Sequence, residues 1–293
     1  MDPAFLNQLQ RIVGAGGVLH DPLDVLTYEC DGLPHLRMSP AAVVLPSSAA
    51  EVQDVVRLCA RARVPFVPRG HGTGLSGGAL PVAGGVLIAL SRLNRVLDVD
   101  IPNQRVTVEP GVTNLEITRQ VAPFGYYYAP DPSSQQVCSI GGNVAENSGG
   151  AHCLKYGFTT HHVLGVDAVM PDGELVRIDG ALTDAPGPDL LGLIVGSEGT
   201  LAIVTSITVR ILRRPETVQT LLAAFTSMRH WKLSRSTPEA SELAGRCGGT
   251  SKRKAMRAPP GPVVARASTR WVQRVDTLVS SPCGTLRRHS RFT

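Results

Sequence analysis

Apolar residues follow two different periods along this chain, and the switches between them divide it into elements. From Ala4 to Val13 the apolar positions recur at helical intervals, and Gly14-Ala15-Gly16-Gly17 stops that helix. Ala42-Val43-Val44-Leu45 is an unbroken apolar run ended by Pro46, the pattern of a short buried strand. Ser48-Ala49-Ala50-Glu51 has the form of a capping box, and Val52, Val55, Val56, Leu58 and Cys59 then mark one face of a helix running to about Arg63. Pro65-Phe66-Val67-Pro68 resumes an extended course.

Three short strands follow, Val86–Leu90, Arg95–Asp98 and Arg105–Glu109, with turn residues such as Pro102-Asn103 between them. Thr113-Asn114-Leu115-Glu116 is a second capping box and opens a helix to about Ala122. From Pro123 to Thr160 periodicity disappears into Gly, Ser, Pro and Asn, and loops of that length in compact domains are usually functional. Strands return at Val163–Met170 and Leu175–Ile178, joined by the turn Pro171-Asp172-Gly173, and a β-branched run occupies Leu201–Leu212.

The chemistry concentrates where the period breaks. Pro68-Arg69-Gly70-His71-Gly72-Thr73-Gly74-Leu75-Ser76-Gly77-Gly78 places five glycines within nine residues. Such a backbone is free to adopt positive φ and to present consecutive N–H groups to a phosphate or pyrophosphate, although a plain glycine-rich surface turn shares the composition. Gly72 to Gly77 also satisfies G-x-G-x-x-G, yet Gly78, Pro81, Gly84 and Gly85 follow where a dinucleotide-binding helix should open. No Gly-Lys-Ser/Thr closes a P-loop either. A second glycine-rich segment, Ser139 to Gly150, offers amides to a planar polar ring. His161-His162 are read as turn residues rather than a metal pair, because adjacent residues on a strand do not share a face. Cys138 is read as a small apolar packing residue.

Composition changes this picture in two ways. The six cysteines are scattered without a C-x-x-C pair, so neither a disulfide framework nor a zinc or Fe–S site is written into their spacing, and no metal ligand is assigned. No stretch approaches eighteen apolar residues and the N-terminus lacks a signal-like pattern, which predicts a cytoplasmic protein without a transmembrane segment, peripheral to the inner membrane at most through partners. The charge is uneven: residues 1–229 carry 16 Lys and Arg against 21 Asp and Glu, while residues 230–293 carry 13 against 3.

Five segments, taken in order, carry a family resemblance: the loop at 67–81, Pro130-Asp131-Pro132-Ser133-Ser134, Cys138-Ser139-Ile140-Gly141-Gly142-Asn143-Val144-Ala145-Glu146-Asn147, Leu154-Lys155-Tyr156-Gly157 and Gly196-Ser197-Glu198-Gly199-Thr200-Leu201. Together they resemble the FAD-binding domain of the vanillyl-alcohol-oxidase/p-cresol-methylhydroxylase (PCMH-type) flavoproteins, nearest to the glycolate oxidase flavin subunit and FAD-linked D-lactate dehydrogenases. The resemblance implies an α+β fold of two subdomains, a small three-stranded parallel unit near residues 40–90 and an antiparallel sheet with flanking helices. It implies non-covalent FAD with the pyrophosphate on Gly70 to Ser76, the turn Asp131, Pro132, Ser133 and Ser134 with Ser139, Gly141, Gly142 and Asn143 along the ribityl chain and ring, and the adenosine end on Glu198, Gly199, Thr200, Ile203 and Val204. The implied activity is oxidation of a small 2-hydroxy acid, glycolate or D-lactate, to the 2-oxo acid, with electrons passing to an Fe–S subunit and assembly with a second flavin-type subunit. Ala202 and Ser206 depart from the family pattern on the adenosine side.

The resemblance covers residues 5–229 and lacks the family's cap half, so no catalytic residue is assigned. The expected organisation is an N-terminal helical segment (1–39), the FAD-binding domain (40–229) and a basic tail (230–293), unordered or out of frame. Family match, charge sign and periodicity all break at one point, the expected signature of a shifted reading frame. Two other readings stay open: an FAD-binding fragment without activity, and a nucleic-acid-binding protein acting through its tail.

Overall fold

A computed structural model describes residues 1–179 and 188–216, together with the backbone of strands at 219–225, 263–269, 277–280 and 286–289. The expected domain end at 229 and the reading of 230–293 fall largely outside these residues. The chain divides into two compact units, Met1–Arg213 and Arg214–Thr293.

In the first unit, α1 (Pro3–Val13) begins at Asp2, whose carboxylate accepts from the Ala4 amide at 3.0 Å, and it buries Phe5 and Leu9. It is followed by β1 (Val18–Leu19) and the single turn α2 (Pro22–Val25). Then come β2 (Ala42–Val44), α3 (Ala49–Ala62), β3 (Phe66–Arg69) and β4 (Val86–Ala89). The sheet order is β1-β2-β4-β3, with Val43 and Val67 both in register with Leu87 in parallel pairs. β1 adds an antiparallel fourth strand that the three-stranded expectation lacked, since two residues are too few to show a period. α3 packs Val52, Val55, Val56 and Cys59 into the same core as Phe5 and Leu9 of α1. Its cap is displaced from the expected box: Ser48 Oγ accepts from the Glu51 amide, but Glu51 reaches back to the amide and hydroxyl of Ser47, at 2.7 and 2.8 Å.

The second subdomain opens with β5 (Val96–Asp100), β6 (Arg105–Val108) and α4 (Asn114–Val121), the last capped by Thr113. The stretch expected to be one long loop contains β7 (Tyr126–Tyr127), α5 (Ile140–Glu146) and α6 (Cys153–Tyr156). The chain continues through β8 (Val163–Val169), β9 (Leu175–Asp179), α7 (Leu190–Ile194), β10 (Ile203–Arg210) and β11 (Leu212–Arg213). The five-stranded sheet runs β5-β6-β10-β8-β9, antiparallel throughout, and β11 pairs with β7. The architecture is therefore α+β, one sheet mostly parallel and the other antiparallel. Ile207 and Val209 of β10 lie in the second core with Val106 and Val166, whereas Ile203 at its start joins Val169 in the core of the first sheet.

In the second unit, β12 (Gln219–Phe225) pairs antiparallel with β13 (Val263–Thr269), and β14 (Thr277–Ser280) with β15 (Leu286–His289). No helix among the described residues is long and apolar enough to cross a membrane.

Candidate functional site

The first glycine loop leaves the carboxyl end of β3, the end at which open sheets hold ligands. Two of its five glycines need left-handed backbone: Gly72 has φ +67 and Gly77 has φ +85. Gly70 is glycine for want of space, because a Cβ there would overlap the Ser139 hydroxyl. Among the described residues, the amides of His71, Gly72, Thr73, Gly74 and Leu75 donate to no protein acceptor. His71 to Gly74 are half-buried and Leu75 is exposed, so these five donors stand open to a ligand or to water.

The segment ahead of the family domain holds this loop in place. The Arg69 guanidinium, nearly buried, donates to the Cys30 carbonyl at 2.8 Å and the Ala79 carbonyl at 3.2 Å, and lies over the Tyr28 ring. Burial lowers its pKa, and the nearby Asp31 opposes that effect. Gly32 donates its amide to the Gly74 carbonyl at 3.0 Å. Sequence reasoning gave residues 28–33 no part in the site, because nothing in their spacing records these contacts.

The second glycine-rich segment corrects an expectation. From Ile140 to Glu146 its amides are not free for a planar ring, because that part of the segment is the helix α5. Ile140 donates to the Val112 carbonyl at 2.8 Å, Gly141 to Pro110 at 2.9 Å, and Gly142 and Asn143 to the side chain and carbonyl of Ser139. Ser139 and Asn143 of this segment are buried and, with Ser134 ahead of it, line a cleft. The Asn143 side-chain amide is buried without a hydrogen bond. Asp131, Pro132 and Ser133 do not line the cleft; the Asp131 carboxylate is committed to His152, accepting from its amide at 3.1 Å and meeting Nδ1 at 2.5 Å. Cys138 is buried, and burial raises its pKa.

The third contribution is the turn before β10. Gly196 and Glu198 donate their amides to the Val144 and Ala145 carbonyls, both at 2.8 Å, which satisfies the carboxyl end of α5. The three segments meet in two adjoining clefts. One, of about 260 Å³, is walled by Pro68 and the loop from Gly70 to Leu75 with Gly78 and Ala79, by Ser134, Ser139, Gly142 and Asn143, and by Ala145, Glu146, Ser148 and Glu198. The other, of about 50 Å³, is walled by Pro68, Arg69 and Gly70, by Leu90, Pro110, Gly141, Gly142, Val144 and Ala145, and by Ile194, Ser197, Ala202, Ile203 and Val204. Of the expected residues, Ser76, Gly199 and Thr200 also lie off the lining: Ser76 binds Glu146, Thr200 donates to the Ser197 carbonyl, and Gly199 packs where a Cβ would meet the Pro68 ring.

His162 lies in a turn, as expected, its amide donating to the Thr159 carbonyl at 2.9 Å. It is buried, with Nε2 on the Tyr156 carbonyl at 2.8 Å and its ring edge-on to Tyr128. Glu146 is a charged lining residue that sequence reasoning missed; it stood inside a quoted segment, but its meeting with Ser76 spans 70 positions of chain. No group of three or more His, Cys, Asp or Glu suited to a metal occurs among the described residues.

Comparison with known proteins agrees with this geometry. Residues 40–179 match the family described as FAD binding domain. The glycolate oxidase subunit GlcD of Escherichia coli (strain K12) is 50% identical over 225 residues, 77% of this chain and 45% of that protein. GlcD of Bacillus subtilis (strain 168) is 43% identical over 204 residues, 69% of this chain and 43% of that protein. A solved alkyldihydroxyacetonephosphate synthase superposes with a TM-score of 0.71 at 26% identity, covering 83% of this chain and 46% of that one. The chain thus spans less than half the length of the relatives it matches. Through residues 40–179 it belongs to the family of PCMH-type FAD binding domains, and FAD is the cofactor of that domain.

Proposed function

We propose that this chain is the cofactor-binding part of an FAD-dependent oxidoreductase that oxidises a small 2-hydroxy acid, glycolate or D-lactate, to the 2-oxo acid. The observation that carries the reading is the row of unpartnered amides from His71 to Leu75 on the cleft wall, which fits a diphosphate bridge. Pro68, Gly70 and Gly142, common to both clefts, line the path from that bridge toward the two ends of the dinucleotide. The orphaned Asn143 amide fits a polar group of the ligand, and the apolar wall of Ile203 and Val204 fits the face of a flat ring. Ser134 and Ser139 add hydroxyls on the same wall.

Bound FAD supplies the two-electron redox chemistry, and the chain's own residues bind, orient and shield it. The catalytic base is not assigned to any described residue. The name of the relatives includes the word subunit, which supports assembly with other chains; an Fe–S electron-transfer chain and a second flavin-type chain are the partners that the family resemblance implies.

Purified protein tests this directly. It is expected to be yellow, to release its flavin on denaturation because the attachment is non-covalent, and to reduce a dye with glycolate or D-lactate. Yellow protein without dye reduction leaves FAD binding and removes the activity; colourless protein that takes up no FAD removes both.

A further inference from the structure

The last two glycines of the second glycine-rich segment, Gly149 and Gly150, stand outside α5 and both clefts. A Cβ on Gly150 would overlap the carbonyl and the carboxylate of Asp131, so glycine lets the loop that carries His152 come this close. The result is a pair whose side chains are each 21% exposed: Asp131 Oδ1 accepts from the His152 amide at 3.1 Å, and Oδ2 meets Nδ1 at 2.5 Å. An ionised carboxylate only accepts, so the neutral ring carries its proton on Nδ1 and Nε2 is left as an acceptor. Among the described residues Nε2 has no hydrogen-bond partner.

A cation stands on the next turn of chain. Lys155 is the only lysine among residues 1–231, where arginine supplies every other permanently charged basic side chain. Its Nζ lies 5.2 Å over the Tyr156 ring, and the His152 ring stands 6.5 Å from that same ring, so the two groups flank Tyr156. Tyr156 packs edge-on to Tyr127 at 6.3 Å. A lysine brings a compact charge on a flexible stem, suited to a small carboxylate. Desolvation lowers its pKa, a shift that a bound anion would reverse. The cluster adjoins the larger cleft: Ser134, three residues after Asp131, and Ser148, four before His152, both line it. Spans that short reach at most about 14 Å. An acceptor nitrogen near an ammonium asks for a ligand with a hydroxyl and an anion close together, and a 2-hydroxy carboxylate carries the two on adjacent carbons.

We infer that His152 and Lys155 form a docking site for a 2-hydroxy carboxylate, in which Lys155 holds the carboxylate and His152 Nε2, its ring held by Asp131, accepts from the hydroxyl. This rests on the proposed 2-hydroxy-acid reading and deepens it by naming residues of this chain that recognise the substrate.

Calorimetric titration of the purified, flavin-loaded chain with glycolate, acetate and glycolamide tests the inference, since acetate lacks the hydroxyl and glycolamide lacks the charge. Wild type is expected to bind glycolate about tenfold more tightly than either, the scale of one hydrogen bond lost in a sheltered site. Lys155→Gln is expected to bring glycolate down to the level of glycolamide, and His152→Ala to bring it down to the level of acetate without weakening acetate. In wild type, glycolate is expected to shield His152 from diethyl pyrocarbonate and Lys155 from an acetylating reagent, while acetate shields Lys155 alone. Peptide masses read this shielding, which locates the site even where a variant fails to fold. Glycolate binding that survives both substitutions, or that shields neither residue, overturns the inference while the 2-hydroxy-acid reading stands. Wild type that holds flavin but prefers glycolate to neither analogue overturns both.

Discussion

At Gly70 a single added methyl group has nowhere to go, since it would overlap the hydroxyl that caps α5. Gly70→Ala is therefore expected to displace Ser139, to cost about 1 kcal/mol of stability through the lost cap, and to lower flavin content. Thermal melting and the ratio of flavin to protein absorbance measure the two effects. His162 gives the pH response. Burial holds its pKa below the ordinary value, with Arg210 and His161 adding to that and the Tyr156 carbonyl opposing it. The unfolded chain then takes up this proton more readily than the native one, so stability is full above pH ~6.5 and falls as pH drops below it. Melting temperature is expected to decrease from pH 7.5 to 5.5, and to decrease less in His162→Gln; an equal decrease in both would show that other groups are responsible.

Helices that rest on their own surface pattern were legible, whereas α5, which rests on its neighbours, and the single turns α2, α6 and α7 were not. α1 and α3 carry both a cap and an apolar stripe, and their observed ends lie within one residue of the expected ones. α5 has Gly141 and Gly142 in its first turn, poor helix formers, and it exists because Val112 and Pro110 accept its first amides and Gly196 and Glu198 satisfy its last carbonyls. The same chain-distant partners explain why the glycine loops could be recognised from sequence while Glu146 and the brace at Cys30 and Gly32 could not. α5 stops at Asn147 in left-handed backbone, φ +48, with Oδ1 accepting from the Thr160 amide at 3.0 Å. Asn147→Ala and Asn147→Gly both lose that bond, but alanine also pays for the left-handed conformation. Chemical denaturation is expected to find the alanine variant about 1 kcal/mol less stable than the glycine variant; equal stability would mean that the backbone relaxes there.

Over the whole first unit, the two sheets were legible because their strands are apolar runs and β-branched stretches that suit parallel and antiparallel pairing respectively, whereas β1 at two residues was not. A ligand seated where three separated segments converge stabilises all of them together. At a free FAD concentration a hundred times Kd, the stabilisation is about 2.7 kcal/mol. A rise of several degrees in melting temperature, growing with FAD concentration, is the expected result; a melting curve indifferent to FAD would mean that the converging segments do not bind it.

Ile203 and Val169 belong to the antiparallel sheet but are packed into the core beneath the parallel one. Swinging the two sheets apart would drag both side chains into water, so the subdomains behave as one welded body rather than as jaws. With the subdomains fixed, the glycine strap between β3 and β4 is the part left to yield, and the departure rate of FAD held in the proposed cleft is expected to respond to changes at Gly32 and Ser76, which brace the strap from outside the cleft lining.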